Sequence, residues 1–402
     1  MQELTFLPRF PFSFSGIVLF GLLLVAGFVA GELVKRFIAL PKITGYVLLG
    51  VLIGPAVLGW FDRHLIAESR VFVDIAFGIV LFETGRYLDL RWFRHNPWLV
   101  TAGVAAGLLA FALVFAMLIL LGVGILLAAI IAAIAMSTSP AVVLMVVRDL
   151  RAEGQMTERA VAILAINCVM AFLAVTMLVP ALHVEHSASW MVTLLHPAYL
   201  LFGSLGIGVF AALLLIVLSK VVGPRQSRQF VVIVGLILLA VGVAQVLKLS
   251  VLIALLTLGA VSRNLDRLNL QEVDLLGTGR LFIIVLFVVV GASLQFDSIL
   301  TGGLIAVLLI ITRWCGKALA LVMLASVSGL TWQKALWLSV ALLPMSGTAL
   351  VMAQDFANLY PAIGAELSAI LFAVVAILEL LGPLAVQFAL HFARETLPGK
   401  ED

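Results

Sequence analysis

The stretch Met136-Ser137-Thr138-Ser139-Pro140 interrupts an apolar run that extends over 123–147. A second stretch, Pro344-Met345-Ser346-Gly347-Thr348, interrupts the run 335–356 in the same way. A proline with neighbouring hydroxyl residues breaks a helix, and at membrane depth the freed backbone groups need partners from protein or water. A proline kink with back-bonded hydroxyls is the simpler reading of one break. Two matching breaks indicate a transporter with its site near the bilayer midplane.

The composition places this chain in a membrane. Of its 402 residues, 64% are hydrophobic and 11% are charged, with a mean hydropathy of +1.24, whereas soluble domains carry about 25% charged residues. Apolar runs of about 20 residues recur along the chain, and each is long enough to cross a bilayer as a helix. We predict an all-α, multi-pass protein of the plasma membrane or bacterial inner membrane. We expect no cofactor, no nucleic acid partner and no enzymatic activity, since no nucleophile–base pair or metal-ligand cluster occurs and the basic residues form no single patch.

Thirteen transmembrane spans are predicted, near 15–34, 43–60, 71–90, 98–121, 123–147, 157–182, 198–219, 229–247, 250–264, 280–296, 303–327, 335–356 and 365–392. With this count, the loops on one side hold only Arg9, Arg63, Arg70 and Lys248, while nearly all the other basic residues, of 24 in total, fall on the opposite side. Lys and Arg concentrate in cytoplasmic loops. The N-terminus is therefore predicted outside and the C-terminus inside.

The two breaks lie seven spans apart, in spans five and twelve. Because seven is odd, the two broken helices run in opposite directions through the membrane. Spans 1–6 and 8–13 are thus predicted to be inverted repeats joined by span seven, with the two broken helices crossing each other.

Ionisable residues inside spans mark candidate functional positions, because their burial in lipid is costly. Arg313 and Lys317 are four residues apart and share one helix face. Their expected partners are Glu379 and the C-terminal ends of the half-helices, although Lys317 alternatively snorkels to an interface. In the repeat, Glu379 on span thirteen matches the polar pair Asn167-Cys168 on span six.

Glu83 precedes Arg86 by three residues near the cytoplasmic end of span three. We interpret this pair first as an interfacial ion pair and second as a source of titrating charge for transport.

Several segments, in this order, resemble the cation/proton antiporter superfamily. They are the second-helix signature Pro41 to Pro55, the third-helix segment Leu81 to Gly85, the first break with Thr138 to Val143, the basic helix with Arg313 to Lys317, and the second break with Pro344 to Leu350. The resemblance covers nearly the whole chain.

That resemblance implies exchange of Na⁺ or K⁺ for protons by an elevator-like movement in a homodimer. The oxygen ligands would be Thr138, Ser139, Asn167, Ser346 and Thr348, and Glu379 or Glu83 would titrate. It also implies scaffold helices in 1–97 and 223–299, core helices in 98–184 and 300–393, a linker helix in 185–222 and a cytoplasmic tail in 394–402. Relatives often continue into a soluble nucleotide-binding regulatory domain, for which this chain offers no candidate residues.

At one position the chain departs from the family pattern. The family places a carboxylate after the first polar residue of span six, where this chain has Cys168. A thiol is a poor ligand for a hard alkali cation, which prefers oxygen. Two alternatives therefore stay open: the fold carries another solute, such as an anion drawn to Arg313, or the protein is a channel-like or regulatory membrane protein that exchanges no ions.

Overall fold

The structure, a computed structural model, describes residues 16–61, 63–185, 190–223, 225–265, 274–294, 296–345, 347–350, 352–353 and 361–396. Its helices are α1 Gly16–Ile38, α2 Lys42–Ile53, α3 Arg63–Glu68, α4 Arg70–Arg86, α5 Leu90–His95, α6 Pro97–Leu120, α7 Ile125–Ala135, α8 Pro140–Asp149, α9 Gln155–Glu185, α10 Trp190–Val222, α11 Gln226–Val246, α12 Val251–Leu265, α13 Leu275–Thr278, α14 Arg280–Ala292, α15 Phe296–Met323, α16 Trp332–Ala341 and α17 Pro361–Phe392. Residues 347–350 and 352–353 are also helical.

The prediction of an all-helical membrane protein is confirmed, and no strand occurs among the residues that the structure describes. Eight helical stretches in this part are long and apolar enough to cross a membrane, counting α7 and α8 together. Three shorter apolar helices, α2, α12 and α14, occupy predicted spans as well. Each of the thirteen predicted spans contains helical residues, and the count and the orientation stay predictions.

The third predicted span ends earlier than its apolar sequence indicates. Helix α4 stops at Arg86, because Asp89 caps the next helix and accepts hydrogen bonds from the backbone N–H groups of Arg91 at 2.9 Å and Trp92 at 3.1 Å. An aspartate in this position satisfies N–H groups that a new helix start leaves free. The chain therefore turns into α5 four residues after α4 ends.

Helix packing reproduces the predicted repeat. Helix α1 packs against α2 and α14, and its counterpart α11 packs against α12 and α4. Helices α2 and α14 approach so closely that a side chain at Gly50 would meet the Val288 carbonyl, and one at Gly291 would meet the Val47 carbonyl. The pair α4–α12 makes the equivalent approach through Gly85 and Gly259. Exchanging the two halves of the chain maps one pair of helices onto the other.

The second group of helices surrounds the two breaks. Helices α6 and α15 form its centre, with α9 against α6 and α17 against α15. At their contact a Cβ on Gly316 would lie 2.7 Å from the Ala110 Cα, so only glycine permits this approach. The close contact of α15 with α6 brings its buried face against the broken helices.

All described ion pairs lie on loops or helix ends that the sequence assigns to the cytoplasm. They are Lys35–Asp149, Lys42–Glu32, Arg86–Glu83, Arg148–Asp274, Arg263–Asp89, Arg280–Glu32 and Lys334–Glu395. We call this side of the molecule the ion-pair face.

Candidate functional site

The first break separates α7 from α8. Pro140 opens α8, where its missing N–H costs nothing, and it holds the preceding Ser139 in an extended conformation with φ −69° and ψ 109°. The Ser139 hydroxyl caps α8 by accepting a hydrogen bond from the Val142 N–H at 3.4 Å. Met136 and Ser137 still donate to the last turn of α7, at the Ala133 and Ile134 carbonyls, but the Ser139 N–H has its partner in neither helix.

The second break supplies the partner for Ser139. Helix α16 ends at Ala341, and 343–345 are not helical. The Ser139 N–H donates to the Pro344 carbonyl at 2.9 Å, and the Thr138 hydroxyl donates to the Leu342 carbonyl at 3.2 Å. The predicted crossing of the two broken helices is therefore present, and each break satisfies backbone groups of the other, as membrane depth requires.

Arg313 joins the two breaks through their carbonyl groups. Its Nε donates to the Ala135 carbonyl at 2.6 Å and its Nη2 to the Ser137 carbonyl at 2.5 Å, both at the C-terminal end of α7. Its Nη1 donates to the Leu343 carbonyl at 2.6 Å, just after α16. Each helix C-terminus carries about half a negative charge. Two such ends together offset one guanidinium.

Lys317 lies one turn further along α15. Its ammonium donates to the Thr138 hydroxyl at 2.6 Å, and the residue is 0% exposed. Full burial contradicts the alternative in which Lys317 snorkels to a membrane interface. The described hydrogen bonds of Arg313 and Lys317 thus go to the breaks and not to Glu379.

The polar pair on α9 faces the first break. Cys168 is buried and its thiol donates to the Thr138 carbonyl at 3.2 Å. Asn167 is also buried, and its amide nitrogen and oxygen have no hydrogen-bond partner in the described part of the chain. A Cβ on Gly107 of α6 would lie 3.2 Å from the Asn167 Oδ1. Glycine therefore leaves the space into which this oxygen points.

The remaining predicted site residues lie in different places. Thr348 is buried, and among the described residues its hydroxyl has no hydrogen-bond partner. Glu379 is buried on α17, one turn before Gly382, whose Cβ position lies 3.1 Å from the Pro344 Cβ at the second break. Ser346 lies outside the described residues. Glu83 pairs with Arg86 at 2.9 Å on the ion-pair face, so it is not part of the crossing.

The sequence did not reveal which glycines make room for the site residues, or which groups several of those residues contact. Gly107 and Gly316 are ordinary residues in apolar helices, and only their contacts show that one makes room for Asn167 and the other brings Lys317 to Thr138. Cys168 on α9 and Lys317 on α15 both contact Thr138 of the first break, one at its carbonyl and the other at its hydroxyl. Asn167, next to Cys168, adds a buried amide without a hydrogen-bond partner among the described residues.

Comparisons with known proteins agree with this fold. The family model described as "Sodium/hydrogen exchanger, transmembrane" matches residues 19–391. Two solved structures of the sodium proton antiporter MjNhaP1 from Methanocaldococcus jannaschii share the fold. The structure at pH 8 has a TM-score of 0.63 at 15% identity and covers 94% of this chain and 95% of that one. The electron-microscopy structure has a TM-score of 0.71 at 17% identity and covers 95% and 99%. No curated protein matches this chain.

Proposed function

Because this chain belongs to the sodium/hydrogen exchanger family, a family of multi-pass membrane transporters, we propose that it exchanges Na⁺ or K⁺ for protons at the crossing of its two broken helices. The observation that carries the proposal is the meeting of Lys317, Thr138 and Cys168 in a buried, polar spot inside an apolar helix bundle, with the buried amide of Asn167 next to Cys168 in the chain.

Oxygen atoms would bind the cation. Alkali cations prefer hard oxygen ligands, and the Thr138 hydroxyl and the unpartnered Asn167 amide oxygen are both buried beside the first break. Thr348 and Ser346 are further candidates from the second repeat, and Ser139 from the first. Cys168 would help to fix the Thr138 backbone through its hydrogen bond and would not itself bind the cation.

Lys317 would bind and release the proton that is exchanged for the cation. An ammonium and a metal cation cannot share the Thr138 hydroxyl, since like charges a few ångströms apart repel strongly in a low-dielectric interior. Binding of the cation therefore requires Lys317 to release its proton and leave Thr138. One positive charge replaces another, so the site can carry either a proton or a cation. Glu379, one turn from the contact of α17 with Pro344, is the alternative titrating group.

The elevator-like movement would take place between two groups of helices. Helices α6 to α9 and α15 to α17, which closely match 98–184 and 300–393, would form the mobile core, and the helices of 1–97 and 223–299 the scaffold of a homodimer. Arg313 hydrogen-bonds to both breaks, which favours their movement as one body. The missing side chain at Gly347 lets the Phe77 ring of α4 approach the second break. The proposed core and scaffold would meet at this contact.

Proteoliposomes that contain a pH-sensitive dye test this proposal. We expect Na⁺ or K⁺ gradients to move protons through the wild-type protein, and Thr138→Val to abolish this movement. The matched control is Thr176→Val on α9, because that buried hydroxyl bonds only its own helix at the Phe172 carbonyl, 2.8 Å away. Glu379→Gln distinguishes the two titrating groups: retained exchange supports Lys317. Proton movement with no cation, or movement driven only by anion gradients, would overturn the proposal.

A further inference from the structure

A cavity of about 230 Å³ opens on the ion-pair face, between the end of α8 and the scaffold helices. Its charged lining consists of Lys35 from α1, Lys42 from α2, Arg280 from α14, and Arg148, Asp149 and Arg151 at the end of α8. The transport site described above lies at the other end of α8, so this cavity is separate from it.

Positive charge predominates in the cavity, even when every described ion pair is counted. Asp149 binds Lys35 at 3.0 Å, and Asp274 binds Arg148. Glu32 pairs with two cations: it binds Lys42, and its Oε1 lies 3.6 Å from the Arg280 Nη2. Three carboxylates therefore face five basic side chains.

Two of the basic groups are incompletely compensated. Arg151 is exposed and takes part in none of the described ion pairs. Arg280 forms one described ion pair, with Glu32, which it shares with Lys42 at the longer distance. Its other partners in the cavity are the Tyr46 hydroxyl and the more distant carboxylate of Asp149, which already pairs with Lys35. A guanidinium binds planar and tetrahedral oxyanions through paired N–H groups. These two arginines, one on each side of the cavity, are thus available to an added anion.

The size of the cavity limits the ligand. A volume of 230 Å³ corresponds to about seven or eight water molecules at ~30 Å³ each. One phosphate group with a small polar substituent fits, and the space is below the range of about 300–1,000 Å³ of pockets for drug-sized ligands. Next to the cavity, Phe37 and Ile38 at the end of α1 are 75% and 59% exposed, so an apolar surface adjoins the charged one.

We propose that this cavity binds a phosphate group, presented either by the headgroup of an anionic lipid or by a small soluble phosphate compound. Basic pockets between transmembrane helices at the cytoplasmic surface suit anionic headgroups. A bound phosphate would bridge Arg151, two residues after α8, and Arg280 of α14. If the transport proposal holds, this bridge would slow exchange by joining core to scaffold, but the binding itself does not depend on transport.

Direct binding measurements on the purified full chain in detergent test the site. Thermal stabilisation is titrated with phosphatidylglycerol, with zwitterionic phosphatidylcholine, and with pyrophosphate at constant ionic strength. The double variant Arg151→Gln/Arg280→Gln is compared with Arg225→Gln/Arg228→Gln, two exposed arginines at the start of α11. We expect phosphatidylglycerol or pyrophosphate to bind at least about tenfold more weakly to the first double variant, and unchanged to the second.

The lipid and pyrophosphate titrations show where the phosphate group comes from. Stabilisation by phosphatidylglycerol alone assigns a lipid headgroup, and stabilisation by pyrophosphate alone assigns a soluble ligand. Equal loss in both double variants, or no phosphate-dependent stabilisation of the wild type, overturns the proposal. Should the double variant fail to fold, Arg151→Gln alone serves, because that side chain is exposed and forms no described ion pair. Transport assays are not needed, so failure here leaves the exchange proposal untouched.

Discussion

The ammonium of Lys317 lies 2.6 Å from the hydroxyl of Thr138, and each residue comes from a different repeat. The contact puts a buried positive charge on the oxygen that we propose as a ligand of the transported cation. On that proposal, proton and cation would compete for one atom.

Lys317→Gln should uncouple cation binding from pH. Glutamine keeps a donor for Thr138 but cannot release a proton, so proton-coupled exchange should fall to the level of empty liposomes. In the wild type, Na⁺ binding should strengthen as pH rises, because the proton of Lys317 must leave. In the variant, Na⁺-induced thermal stabilisation should be the same across the pH range. Lys248→Gln, at an exposed lysine, is the control. A variant that keeps the wild-type pH dependence would assign the exchange to another group, with Glu379 first.

Substitutions of Cys168 should separate its structural and its electrostatic contribution. Cys168→Ser keeps a donor for the Thr138 carbonyl and should retain exchange close to wild type. Cys168→Asp puts a carboxylate near Lys317 and favours the charged ammonium, so the pH at which exchange begins should rise by about one unit or more. Dye-based pH profiles of the three proteins measure this. Exchange that occurs only in Cys168→Asp would show that the native protein does not exchange cations.

Arg313→Met should destabilise the fold. The change leaves the carbonyl groups of Ala135, Ser137 and Leu343 without their charged donor. An unsatisfied buried acceptor costs about 1–3 kcal/mol, so the free energy of unfolding should fall by about 3 kcal/mol or more. Thermal denaturation in detergent measures the loss, with the exposed Arg225→Met as control. A melting temperature equal to that of the control would show that other groups satisfy these carbonyls.

Glu395→Gln should reduce stability in a pH-dependent way. The carboxylate accepts hydrogen bonds from the N–H groups of Met156 at 2.9 Å and Thr157 at 2.8 Å, at the start of α9, and from Lys334 at 2.9 Å. Burial opposes its ionisation, but these hydrogen bonds outweigh burial and lower the pKa of Glu395. Removing the charge should cost about 2 kcal/mol at neutral pH.

The sign of the pH effect follows from that lowered pKa. The unfolded carboxyl titrates near pH ~4.3, so the stabilisation is complete above that pH and is lost as pH falls through the lower folded value. Wild type and Glu395→Gln should therefore differ most in melting temperature at neutral pH and converge in acid. Glu153→Gln, at an exposed carboxylate nearby, should match the wild type throughout. A difference that persists unchanged into acid would contradict this account.

Much of this architecture could be predicted from local chemistry. Pro140 and Pro344, set among hydroxyl residues in apolar runs, mark both breaks, and the spacing of Arg313 and Lys317 puts them on one face of α15. The sequence could not show which way that face turns, because the close approach of Gly316 to Ala110 decides it. Nor could it show that Arg313 binds backbone carbonyl groups, since these groups are the same at every residue. The pairing of charges along the ion-pair face likewise depends on which helix ends become neighbours.

The contact between Gly316 and Ala110 has a consequence for the origin of the site. If these two positions are equivalent in the repeats, the counterpart of Arg313, three residues earlier, is Gly107. The two halves therefore have unequal tasks: the second contributes both buried cations, and the first contributes Thr138, Asn167 and the gap beside them. A molecule made of two copies of the first half would lack the guanidinium that binds the carbonyl groups of the breaks. A molecule made of two copies of the second half would bring two guanidinium groups to the same crossing. Because each half lacks what the other contributes, the proposed site needs one copy of each half, and a single chain provides both.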